Sequence, residues 1–265
     1  MKIVCLKGGL GNQMFEYCRF RDLMESGHDE VYLFYDHRRL KQHNGLRLSD
    51  CFELELPSCP WGVKLVVWGL KICRAVGVLK RLYDDEKPEA VLMDDYSQHR
   101  RFIPNARRYF FFRQFLAELQ SGFVQMIRAV DYPVSVHVRR GDYLHPSNSS
   151  FGLCGVDYFQ QAIAYVRKKR PDARFFFFSD DMEWVRENLW MEDAVYVEHT
   201  ELLPDYVDLY LMTLCRGHII SNSTFSFWGA YLAVDGNGMK IYPRRWFRDP
   251  TWTSPPIFSE EWVGL

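Results

Sequence analysis

An α/β fold made of two Rossmann-like halves facing a cleft is what this chain predicts, and three observations carry it. Short β-branched or aromatic runs alternate with helix-length amphipathic segments. The chemically loaded residues fall just after the strands. The chain has 265 residues, room for two compact domains. Alternation of strand and helix implies parallel sheets, because parallel neighbours need crossover connections.

The elements follow in order. Lys2–Leu6 reads as a strand entering the turn Gly8-Gly9-Leu10-Gly11; Asn12–Ser26 then has helical spacing until Gly27 stops it. Val31–Tyr35 is a second strand. From about Leu40 to Gln125 the alternation lapses into helix signals, with no repeat and no low-complexity linker. It restarts after Asp131-Tyr132-Pro133, which sets the expected domains at 1–130 and 131–265. Val134–Val138 is a strand, Asp157 caps a helix running to Lys169, and Pro171 follows. Strands at Arg174–Phe178, Ala194–Glu198, His218–Ser221 and Lys240–Tyr242 interleave with helices at Met182–Leu189, Asp205–Cys215 and Thr224–Val234.

Composition narrows the class. Hydrophobic residues make up 48% and charged residues 25%, as in ordinary globular proteins. Thirty-three Lys and Arg against 34 Asp and Glu give a net charge of -1, which excludes a general nucleic-acid coat. The seven cysteines are odd in number and contain no C-x-x-C pair, so neither a disulfide scaffold nor a zinc ribbon is expected, and a reducing compartment is. Met1–Gly9 reads as strand and turn rather than as a signal segment. The most apolar stretch, Trp61–Leu79, is interrupted by Lys64, Lys71 and Arg74 and does not suit a bilayer span. The expectation is a soluble, cytoplasmic protein.

Four polar runs carry the chemistry. After the first strand, Lys7-Gly8-Gly9-Leu10-Gly11-Asn12-Gln13 reads either as a tight turn or as a backbone approach to a ligand at a helix N-terminus. Its spacing is not G-x-G-x-x-G, which disfavours a dinucleotide dehydrogenase. After the strand Val134–Val138 come His137-Val138-Arg139-Arg140-Gly141-Asp142; guanidinium forks there suit phosphate oxygens, whereas a surface ion pair with Asp142 is the plainer alternative. Ser221-Asn222-Ser223-Thr224-Phe225-Ser226 places four hydroxyls and an amide at a helix start, more than one cap requires, and suits a diphosphate cradle. Phe178-Ser179-Asp180-Asp181 offers two carboxylates, one of them explicable as a helix cap. No D-x-D occurs, so no metal is expected. Lesser features are Trp228, read as core, the basic run His99-Arg100-Arg101 with Arg107, Arg108 and Arg113, and the segment Trp61–Arg81, read either as an interfacial or as an ordinary packed helix.

Taken in order, Gly8–Phe15, His137–Tyr143 and Ser221–Ala230 resemble the three signature blocks of α-1,2-fucosyltransferases, glycosyltransferase family 11, of the bacterial type. Phe177–Asp181 with Trp184, and Asp208–Met212, are similar to the segments between them. The resemblance implies a GT-B-like fold with an acceptor-side domain over 1–130 and a donor domain over 131–265. It implies inverting transfer of fucose from GDP-L-fucose to the 2-hydroxyl of a terminal galactose, with no cofactor or metal. Arg139 would grip the diphosphate. Inversion also calls for a carboxylate to take the acceptor's proton; Asp142 is the candidate, a structural pair with Arg140 being the equal alternative. His137, Arg140, Asp180, Asp208, Ser221, Asn222, Ser223 and Thr224 would bind the donor, Asp208 at the guanine. Gly9, Gly11, Asn12 and Gln13 would form the acceptor-side loop.

The partners implied are GDP-fucose and a galactose-terminated glycan such as an O-antigen or capsule precursor. A lipid-linked acceptor and peripheral contact with the inner membrane face fit the bacterial form. No nucleic acid is implied. The sequence departs from the pattern at Phe227, where a tryptophan is common, and at Glu16, where Gln is common and acceptor contacts would be adjusted. The rival readings are an α-1,6- or protein O-fucosyltransferase-like enzyme, a transferase of another GDP-sugar, and a non-catalytic GDP-sugar or glycan-binding protein.

Overall fold

In the computed structural model, residues 1–265 are described apart from 42–43, 85–86, 88, 120–121, 149 and 199–202. The chain divides into two compact units, Met1–Arg113 and Gln114–Leu265. That division falls earlier than the 130/131 boundary expected from strand alternation. The helix Gly122–Arg128 packs on the helix Tyr206–Leu214 and so travels with the second unit.

In the first unit, β1 (Lys2–Leu6) leads into α1 (Leu10–Glu25), and β2 (Val31–Tyr35) and β3 (Leu92–Met93) flank β1 in a parallel sheet of order β2-β1-β3. Helix α2 (Trp61–Ala75) covers this sheet, seating Val63, Val67 and Leu70 against Ile3, Cys5 and Leu92. A strand as short as β3 carries no periodicity that a sequence reading can detect.

The second unit holds α3 (Gly122–Arg128), β4 (Tyr132–Val138), α4 (Val156–Lys169), β5 (Ala173–Ser179), α5 (Met182–Asn188), β6 (Val195–Tyr196), α6 (Tyr206–Leu214), β7 (Gly217–Ile219), α7 (Thr224–Tyr231), β8 (Lys240–Tyr242) and β9 (Val263–Gly264). All strands are parallel, in the order β6-β5-β4-β7-β8-β9. The run Phe175-Phe176-Phe177-Phe178 is wholly buried, as expected of an inner parallel strand covered on both faces. Trp228 is core, as read from the sequence. Asp157 does not cap α4: Gly155 takes that position, and Asp157 sits in the first turn, where its charge still suits the positive helix end.

Candidate active site

The register of the second sheet assembles the polar runs. His137 lies opposite Phe178 and Val138 opposite Ser179, while Val136 lies opposite Ile219. The carboxyl ends of β4, β5 and β7 therefore end side by side, and three of the four runs leave the sheet at the same edge. In open α/β sheets, ligands bind there.

Arg139 is held between two carboxylates, at 2.8 Å from Asp142 and 3.0 Å from Asp180. The Arg140 backbone N–H donates to Asp180 (2.9 Å), and its side chain pairs with Asp181 (3.0 Å) and lies 3.9 Å over the Trp184 ring. Asp181 also accepts from the Trp184 backbone N–H, so it is the helix cap that one of the two acids was expected to be. The alternative pairing of Asp142 with Arg140 is not formed; Asp142 holds Arg139 instead. Two guanidiniums thus face three carboxylates. The site is an ion-paired lattice with one more acid than guanidinium, rather than the bare cationic patch the arginines suggest.

Gly141 belongs to that lattice. A Cβ there would stand 2.7 Å from a carboxylate oxygen of Asp180, so a side chain would push aside the acid that orients Arg139. Tyr143 lies beneath the Arg139 guanidinium, 5.8 Å from it, and donates its hydroxyl to the Asn222 carbonyl at 3.0 Å. Arg139 is therefore tied to the turn that opens α7, and its side chain is 33% exposed, within reach of a ligand.

On that turn, Ser221 and His137 Nδ1 are hydrogen-bonded at 3.0 Å, with the imidazole against Phe225. Burial pushes His137 down to about 4, so it is neutral near pH 7. Asn222 donates both amide hydrogens internally, to the carbonyls of Gly152 and Trp246 at 2.8 Å each. Its side chain therefore clasps two loops. Ser223 occupies the N-cap of α7 without a side-chain cap bond, and Thr224 begins the helix. Asp208 lies in the first turn of α6, the helix packed against α7. A cavity of about 710 Å³ opens beside the Arg139 turn, lined in part by Tyr143, His145, Cys154, Tyr158, Arg245 and Arg248. Its volume lies in the range of small-molecule sites. Arg245 follows the end of β8 by three residues and Arg248 lies further on; neither is in the four polar runs read from the sequence.

The glycine run of the first unit is arranged differently. Gly8 adopts φ +68°, and a Cβ there would meet the Asn12 amide at 2.7 Å. Gly9 caps α1 with ordinary φ and has open space where a side chain would go. Gly11 is buried in the first turn of α1. Gln13 is fully buried and committed: its amide donates to the Gly8 and Gly45 carbonyls at 2.9 Å each and accepts from the Arg47 N–H at 3.1 Å. Asn12 accepts from Gln98 at 2.9 Å.

Glu16 was expected to bear on acceptor contacts. It is instead wholly buried, accepting from the Lys7 N–H at 2.8 Å, and burial drives its carboxyl well above the usual range. The loop after β3 was missed altogether. There Asp95 binds the buried Arg19 at 2.8 Å, and Ser97 sits at φ +48°.

The crystal structure of NodZ alpha-1,6-fucosyltransferase soaked with GDP-fucose superposes with a TM-score of 0.53 at 14% identity, covering 88% of this chain and 92% of that one. A second NodZ structure, from Bradyrhizobium, gives 0.52. The fold is α/β and GT-B-like.

The profile of glycosyl transferase family 11 matches residues 104–265, and the chain belongs to that family. The alpha-1,2-colitosyltransferase of Escherichia coli is 28% identical over 98% of this chain and 97% of its own length. The O-antigen biosynthesis glycosyltransferase WbnK of Escherichia coli is 25% identical over 98% and 99%. The human galactoside alpha-(1,2)-fucosyltransferase 1 is 32% identical over 54% of this chain and 42% of its length. Among the described residues no helix is long and apolar enough to cross a membrane.

Proposed function

We propose that this glycosyltransferase moves L-fucose from GDP-L-fucose to the 2-hydroxyl of a terminal galactose, in a glycan of the O-antigen or capsule kind, with inversion and without a metal. The observation that carries the reading is the convergence of Arg139, His137–Ser221 and the α7 N-terminus at one sheet edge. Breaking the bond to GDP builds negative charge on the diphosphate. Fixed donors aimed at that charge lower the barrier, and each is worth about 10²–10³ in rate.

The guanidinium of Arg139 and the backbone N–H groups opening α7 supply such donors. A diphosphate oxygen entering the site exchanges with a carboxylate of Arg139; the more exposed partner, Asp142, is the one to yield. Once released, Asp142 is the carboxylate we assign to take the proton of the attacking hydroxyl. Neutral His137 fixes the Ser221 hydroxyl beside the phosphates. Gly9 and the α1 N-terminus provide the acceptor-side loop, and a lipid-linked acceptor fits the O-antigen relative.

A second reading is favoured by the colitosyltransferase, whose match spans nearly both full lengths: the same linkage made with colitose. The test supplies nucleotide-activated fucose, colitose and mannose with a galactoside in EDTA, followed by linkage analysis of the product. The expected product is an α-1,2-linked fucoside formed undiminished in chelator. Activity restored only by manganese or magnesium overturns the metal-free mechanism, and a colitoside as sole product selects the second reading.

A further inference from the structure

Helix α2 is apolar on two opposite faces. Val63, Val67 and Leu70 are buried against the first sheet. On the other side, Trp61, Leu65, Trp68 and Ile72 follow i, i+4, i+7, i+11 spacing, the period of a single helix face. All four are exposed, Trp61 at 73% and Trp68 at 68%, and Val76, Val78 and Leu79 extend the exposed apolar surface beyond the helix.

An ordinary surface helix turns a polar face outward. Contiguous exposed apolar surface of this kind marks an interaction site. The charge beside it says with what. Residues 61–83 contain Lys64, Lys71, Arg74, Lys80 and Arg81 and no acidic residue, in a chain of net charge -1. Lys71 and Arg74 reach Asp94 at 4.0 and 3.3 Å; Lys64, Lys80 and Arg81 are exposed to solvent.

We infer that α2, continued through Arg81, docks the protein on an anionic lipid bilayer. The two tryptophans, Leu65 and Ile72 enter the headgroup–acyl boundary, and Lys64, Lys80 and Arg81 rest on the lipid phosphates. Tryptophan prefers this depth because its ring is apolar and its N–H needs a polar partner. Basic side chains add attraction that salt screens. A helix packed on the protein by one face cannot insert deeply, so the contact is peripheral and reversible. It stands whichever sugar is transferred.

The test is sedimentation of the full chain with phosphatidylethanolamine–phosphatidylglycerol vesicles and with phosphatidylcholine vesicles, alongside tryptophan fluorescence. Binding is expected to the anionic vesicles, with a blue shift and loss in high salt. Trp68→Ser weakens binding by about tenfold or more, and each of Lys64→Glu and Arg81→Glu by about fivefold or more. Transfer to a soluble galactoside and Tm stay at wild-type values in all three variants, which separates this result from failure of the proposed reaction. No vesicle binding, equal binding to both vesicle types, or binding that these variants leave intact overturns the inference. A concentration-dependent dimer that Trp68→Ser abolishes, without vesicle binding, overturns it in favour of a second copy of this chain.

Discussion

The two units use polar residues at strand ends in opposite ways. In the second unit the charged side chains after β4 and β5 meet one another at the surface, with Arg139 partly open to solvent. In the first unit the amides and acids after β1 are turned inward: Gln13 and Glu16 are fully buried, and Asn12 is tied to Gln98. Both units present a strand, a turn and a helix start. The difference teaches that a strand-end motif marks a place where function can sit. Only the bonding of each side chain tells a ligand contact from a scaffold.

The sharpest way to break that contrast is Arg139→Ala. It is expected to cut transfer by about 10²–10³ while Tm stays near wild type, because the side chain is partly exposed and its partners can be hydrated. Rates within a few-fold of wild type would place Arg139 with the scaffold residues and erase the contrast.

Asp142→Asn comes next. A proton acceptor lost from the reacting end lowers kcat by about 10²-fold or more with donor KM unchanged. A rise in donor KM with kcat retained would make Asp142 a positioning residue for Arg139.

Acid stability probes the buried edge of the second unit. Burial lowers His137 to about 4 and His218 to about 3, both below the usual 6.5. Below pH 6.5 the unfolded chain binds protons that the folded chain refuses. Stability is therefore full above that pH and falls as the pH drops towards 4 and then 3. A Tm unchanged from pH 7 to pH 4 would show these imidazoles to be hydrated.

The smallest effect belongs to the first unit. Glu16 has a folded pKa raised by burial, so it favours folding at low pH and opposes it increasingly as pH rises above about 4.5. Glu16→Gln keeps an acceptor for the Lys7 N–H and removes the proton uptake. It should raise Tm at pH 7 by roughly 2–4 °C per kcal/mol gained, with the gain vanishing near pH 4 and transfer unaffected. A drop in transfer at unchanged Tm would return Glu16 to the acceptor side.

Most of the second unit was legible because its strands are apolar runs bounded by glycine, proline or acids; Arg174–Phe178 reads as a strand from composition alone. The placing of His137, Arg139 and Ser221 at strand ends was legible for the same reason. What stayed hidden depends on pairing between residues distant in sequence. Nothing local says that Arg140 chooses Asp181 over Asp142, that Asn222 holds Gly152 and Trp246, or that Gln13 holds Gly45. β3 and β9 are too short to leave a period, so the loop carrying Asp95 and Ser97 had no strand to announce it.

The pairing of Arg139 with two acids bears on which solutes the pocket admits. On the reaction proposed above, a guest would supply oxygens where Asp142 now stands, so chloride, with a single diffuse charge and no oxygen, would be a poor substitute. Pyrophosphate esters, with several oxygens on linked phosphorus atoms, would replace that acid and keep the fork satisfied. Selection by valence and shape would then be built into the resting arrangement, ahead of any recognition of base or sugar.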